Sequence, residues 1–207
     1  MIISVIFVLL FLAFLMGIIL VPKIDGKINM IKVAVMGIMA IFCYQSFWAF
    51  MFQLVGIPVN LKSTCISMAA AVLLLWGMII KKKKMQRIFV RITDIAVLAV
   101  LAGIVIAVSL HMFTPYLRLS YINSDPANHF NDAMVIVKQG VLGKHIYFSA
   151  FVNAMFIEIF SPILIVSKYY KAFIFADIFM HVLEVWMCYV LTVSYTHLRA
   201  HETTLHL

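Results

Sequence analysis

The chain is predicted to be all-α: a polytopic transmembrane helix bundle of about six spans, with one amphipathic helix in an extracytoplasmic loop. Three observations carry that reading. Of the 207 residues, 65% are hydrophobic and only 12% charged, whereas a soluble domain carries about a quarter charged residues; the mean hydropathy is +1.10. The apolar residues fall in blocks of about twenty, enough to cross about 30 Å of hydrocarbon at about 1.5 Å per residue. Between two blocks, from Phe113 to Tyr147, runs one long polar stretch containing Ser124-Asp125-Pro126-Ala127-Asn128-His129-Phe130-Asn131-Asp132.

The first block covers about 1–22 and ends at Pro22. No basic residue precedes it and no small-residue cleavage site follows, so it reads as an anchor and not as a removable leader. The second block covers about 33–57, closed by Gly56-Ile57-Pro58, and the third about 64–80. The fourth is about 92–113, the fifth about 147–167 and the sixth about 172–192. Residues 1–91 thus form three helices with a basic loop, and 92–192 three more around the loop 114–146.

Basic residues set the expected orientation. Lys23, Lys27 and Lys32 follow the first block, Lys81-Lys82-Lys83-Lys84 with Arg87 and Arg91 follow the third, and Lys168 and Lys171 follow the fifth. The loop after the second carries only Lys62. Positive loops prefer the cytoplasm, which puts the N-terminus and loop 114–146 on the extracytoplasmic side of a membrane of the bacterial plasma-membrane kind. The net charge of +8 then answers to anionic lipid headgroups and not to nucleic acid, because its densest run lies between spans. Cys43, Cys65 and Cys188 form no CxxC pair and read as small buried apolar residues inside or at the edge of the blocks, with no metal or disulfide framework.

Within the loop, Ser124 or Asp125 can cap a helix whose first position is Pro126, and Gly140 can close it in the left-handed conformation. Phe130, Met134 and Val137 make an apolar stripe that fits either the membrane surface or the spans. On the other side Asp125, His129 and Asp132 recur at i, i+4, i+7, within about 60° around the axis. Two carboxylates and an imidazole on one face could hold a divalent cation or orient a general base. The plainer reading makes Asp125 a cap, His129 a surface residue and Asp132 a solvated charge, since acids favour helix N-termini anyway.

A second set lies in the apolar blocks. Asp177, His181 and Glu184 share one face of the sixth, and the fifth offers Asn153 and Glu158. Ionisable groups at membrane depth are costly and usually mark ion, proton or substrate paths; hydrogen bonding between the two helices is the alternative. Gln45 and His111 read as packing residues, and Arg91 with Asp94 as a local interfacial pair.

An extracytoplasmic loop that follows a span, begins with an acidic residue and continues as a surface-lying helix resembles the GT-C class of polytopic glycosyltransferases. Ser124-Asp125-Pro126-Ala127-Asn128-His129-Phe130 carries the resemblance, which extends over roughly residues 92–192. It implies transfer of sugar from a polyprenyl-phosphate donor, with Asp125 as base or acceptor-orienting carboxylate and His129 in support. Three spans precede this loop where that class usually has one, and Asp-Pro stands where paired acids are often found. The alternatives are a transporter or flippase whose path includes Glu158, Asp177, His181 and Glu184, and a membrane scaffold without chemistry of its own.

The last residues are expected to be foreign to the fold. Val193-Ser194-Tyr195-Thr196-His197-Leu198-Arg199-Ala200-His201-Glu202-Thr203 resembles one reading frame of a transposase adapter used to prepare DNA sequencing libraries. Residues 193–207 are accordingly read as a non-native tail, with the natural gene continuing and the fragment inactive alone.

Overall fold

The structure, a computed structural model, describes residues 2–20, 27–81, 87–113, 125–143, 148–160 and 169–205. In chain order these form α1 (Ile2–Leu20), β1 (Lys27–Asn29), α2 (Met30–Leu54), α3 (Leu61–Ile80), β2 (Arg87–Phe89), α4 (Ile92–Phe113), α5 (Asp125–Gln139), α6 (Phe148–Phe160) and α7 (Tyr169–Leu205). Among the described residues five helices are long and apolar enough to cross a membrane: α1, α2, α3, α4 and the stretch Lys171–Tyr195 of α7. The protein is a multi-pass, all-α integral membrane bundle.

Side-chain contacts fix which helix ends lie together. The indole N–H of Trp76 donates to the Ala13 carbonyl at 3.0 Å, so the second half of α1 lies against the end of α3. The chain then returns through β1, which pairs in parallel with β2, Lys27 opposite Arg87 and Asn29 opposite Phe89. No alternating pattern announced these three-residue strands. They bring the two basic loops to one end of the bundle. At the other end, the Val59 N–H donates to the Gly140 carbonyl at 2.6 Å, joining the α2–α3 turn to the close of α5. Gly140 adopts φ +68°, the left-handed helix stop expected of it.

The fifth expected block departs from its forecast. Of that block the structure describes α6, with 13 residues. It is buried almost all round, with Val152, Asn153, Ala154 and Ile157 each 0% exposed. Sequence alone does not separate such a helix from a lipid-facing span, because both are apolar on every face. The consequence reaches α7. Phe173, near its start, meets Phe130 of α5 edge-on at 5.4 Å, while Tyr189 donates to Asp94 at the start of α4. Helix α7 therefore runs from the α5 end back to the strand end. Lys171 thus lies at the α5 end and not with Lys81, contrary to the expected alternation of basic loops.

Candidate functional site

Helices α5, α6 and the start of α7 converge at the end away from the strands. The inner face of α5 is wider than the sequence suggested. Ala133, between the two stripes, and Ile136, on the stripe of His129 and Asp132, are both buried, so Phe130, Met134 and Val137 pack on one flank of the core-facing surface. His129 and Asp132 occupy the other flank, half-buried and buried respectively. The water-facing side of α5 is made instead by Asn128, Asn131, Lys138 and Gln139.

This places His129 against α6. Its Nδ1 lies 2.8 Å from the hydroxyl of Ser149, a residue the sequence reading passed over because a lone serine at the rim of an apolar block carries no signal. One turn further along α6, Asn153 donates from Nδ2 to Oδ1 of Asp177 at 3.3 Å. Asp177 is in turn close enough to His129 for their charges to interact. The acid of the membrane set and the imidazole of the loop set thus belong to one cluster: His129, Ser149, Asn153 and Asp177, drawn from three helices. Asn153 is 0% exposed, and its Oδ1 has no hydrogen-bond partner. An orphaned acceptor of this kind is costly, and it lies in the same cluster as the acid–imidazole pair.

The other expected path residues are dispersed. Oε2 of Glu158 accepts the Leu61 N–H at 2.8 Å, completing the N-terminus of α3, where Asn60 Oδ1 already accepts from Lys62 at 2.9 Å and Ser63 at 3.1 Å. A carboxylate there also meets the positive end of the helix dipole. Replacing Glu158 by alanine is expected to cost about 1 kcal/mol, as loss of a cap does, whereas glutamine should retain most of the bond. Thermal unfolding of both variants in nanodiscs checks this, together with amide exchange at Leu61. His181 and Glu184 are exposed on the outer surface of α7. The four residues Glu158, Asp177, His181 and Glu184 do not line one interior path.

For a metal, the predicted trio was Asp125, His129 and Asp132. Asp125 opens α5, but its side chain lies outside the described residues. Among the described residues no group of three His, Cys, Asp or Glu side chains could hold a metal ion. The cysteines also differ from expectation: Cys43 and Cys188 are exposed on the bundle surface, Cys65 is half-buried, and all are free thiols.

A second polar node lies at the strand end. Asp94, expected to pair locally with Arg91, is instead 1% exposed and accepts hydrogen bonds from Asn29 and Tyr189. An acid in the first turn of an apolar block was its only trace in the sequence. Neither a family model, nor a curated protein, nor a solved structure matches the chain.

Proposed function

We propose that the protein transfers a sugar from a lipid-linked phosphate donor to an acceptor hydroxyl at the extracytoplasmic membrane face. The observation that carries this reading is the cluster at the α5 end, where His129 meets the Ser149 hydroxyl at 2.8 Å beside Asp177. An imidazole held by a hydroxyl, with a carboxylate near enough for their charges to interact, is equipped to accept a proton, because the acid favours the imidazolium that forms. In the proposed step the acceptor oxygen attacks the sugar's anomeric carbon. The bond from that carbon to the phosphate oxygen breaks, the phosphate leaves on its lipid, and the acceptor proton passes to His129. Asp125, at the start of the same helix, would orient the acceptor, as the resemblance to the GT-C class implies.

Sidedness supports the assignment. The strand end gathers Lys27, Lys32, Lys81, Arg87 and Arg91, so it is the end that favours the cytoplasm. The cluster then faces outward, where a polyprenyl-phosphate headgroup sits. Exposed Lys62, Lys138 and Lys171 at that end offer charge to a phosphate. Transport is the weaker reading, because an ion or solute path needs polar groups lining one interior route.

The test is sugar transfer from a polyprenyl-phosphate donor in membranes containing the full natural chain. His129→Ala and Asp125→Asn should each lower the rate about a hundredfold or more, the usual contribution of a positioned base. Normal transfer by both variants, or no transfer by the parent protein with any lipid-linked sugar, would refute the proposal.

A further inference from the structure

The surface of α7 carries polar groups where lipid should be. Its buried residues Ala176, Leu183 and Val190 face the bundle. On the opposite side His181, Glu184, Cys188, Leu191 and Thr192 are all exposed. The spacing of the first four follows the alternating three- and four-residue steps of a heptad seam, the pattern by which one helix packs along another. Asp177, one turn before His181 on the same stripe, is covered by Asn153 of α6. The stripe opens where that short helix no longer covers it.

His181 and Glu184 lie near the middle of the membrane-length stretch Lys171–Tyr195. An ionisable group facing lipid at that depth is costly unless another polar group covers it. The imidazole Nδ1 lies 2.7 Å from the Asp177 carbonyl oxygen, to which it donates. That bond fixes the tautomer in which Nε2 is the acceptor. Nε2 therefore presents itself outward to a group that can give or share a proton, and one turn away on the same face stands a carboxyl group. The stripe carries both halves of an acid–imidazole pair, so it is complementary to its own copy under a two-fold axis.

We propose that α7 pairs in parallel with α7 of a second copy of this chain through His181, Glu184, Cys188 and Leu191. Glu184 of each copy shares a proton with His181 of the other inside the membrane. The pairing removes both groups from lipid. It also places the two Cys188 side chains at a heptad position, where the backbones of a parallel helix pair come within disulfide range, about 4.4–6.8 Å between Cα atoms.

The test is oxidative cross-linking of the full chain in native membranes, in a Cys43→Ala, Cys65→Ala background with copper phenanthroline as oxidant. Cys188 should give a reducible species of twice the monomer mass. Single cysteines moved to 191 should also cross-link, while those at 189 and 190 should not. Glu184→Leu should lower the Cys188 yield at least several-fold, and Glu184→Gln, which can still donate to Nε2, should lower it less. Absence of the Cys188 product overturns the proposal, as does equal cross-linking at 188, 189 and 190, which reports random collision. A product whose added mass is that of a different protein also overturns it, since the stripe then serves another partner.

Discussion

Replacing Asp94 with alanine is expected to destabilise the bundle by about 2–5 kcal/mol, the range for removing one partner from a buried charged network. Asp94 is 1% exposed, and its two oxygens serve two elements far apart in sequence. Oδ2 accepts from Asn29 Nδ2 at 2.5 Å, and Oδ1 accepts from the Tyr189 hydroxyl at 2.9 Å. Asn29 is itself occupied, its Oδ1 accepting the Ile31 N–H at 3.1 Å as the N-cap of α2. One carboxylate therefore ties the start of α2 and the second half of α7 to the start of α4. Lys32 and Arg91 lie near enough to favour its charge.

Alanine at that position leaves the half-buried Asn29 amide and Tyr189 hydroxyl without their acceptor. Both donors are only half-buried, so water compensates them in part and the cost stays below the full desolvation of both groups. Asn at position 94 keeps the shape and one acceptor but sets an amide N–H against a donor, so it should fall between alanine and the parent. Tyr189→Phe removes a single bond and should cost about 1 kcal/mol. Unfolding of the variants in mixed micelles measures these differences. In the Asp94→Ala, Tyr189→Phe double variant the losses should not add, because the second change has no bond left to break. Additive losses would show that the two groups act independently.

Asp94 also shows where sequence reading stops. An apolar block of twenty residues announces a membrane helix because length and hydropathy alone decide whether a segment can cross, and α1 to α4 and α7 were legible on that ground. The stop at Gly140 was legible too, since a left-handed residue is chosen locally. The fate of Asp94 depends on Asn29 and Tyr189, which lie 65 and 95 positions away, and no local pattern records such a meeting.

The same limit explains α6 and the candidate site. Phe148–Phe160 has the composition of a span, and only its contacts with α2, α3, α5 and α7 show that it is enclosed by protein. Once it is read as crossing the membrane, α7 is drawn in the wrong direction and Asp177 is sent to the far side from His129. The two candidate sets, each visible as a stripe on its own helix, are joined by that reversal. Ser149 could not have been found, because its importance is conferred by an imidazole twenty positions earlier.

Adding a single methyl at Gly143 is expected to cost about 1–3 kcal/mol, as overpacking of a filled site does, and to disturb the candidate site as well. A β-carbon on Gly143 would lie 2.5 Å from Oδ1 of Asp132, 2.6 Å from its Cγ and 2.8 Å from its Cβ. The oxygen could swing aside; the β-carbon is fixed to the helix, so either α5 or the segment after it must move. That segment is held on both sides. The Gly140 carbonyl accepts from Val59, and the Leu142 N–H donates to Oε1 of Gln53 at 3.1 Å. Relief should therefore come from α5, which carries His129 one turn before Asp132. Gly143→Ala should lower the unfolding midpoint, speed amide exchange at Val59 and Leu142, and, under the proposed function, reduce sugar transfer through loss of the His129–Ser149 contact. Asp132→Ala in the same chain removes two of the three clashing atoms and should restore part of the midpoint. If it restores none, the strain lies elsewhere than between these two residues, and the seating of α5 does not depend on the bare backbone at Gly143.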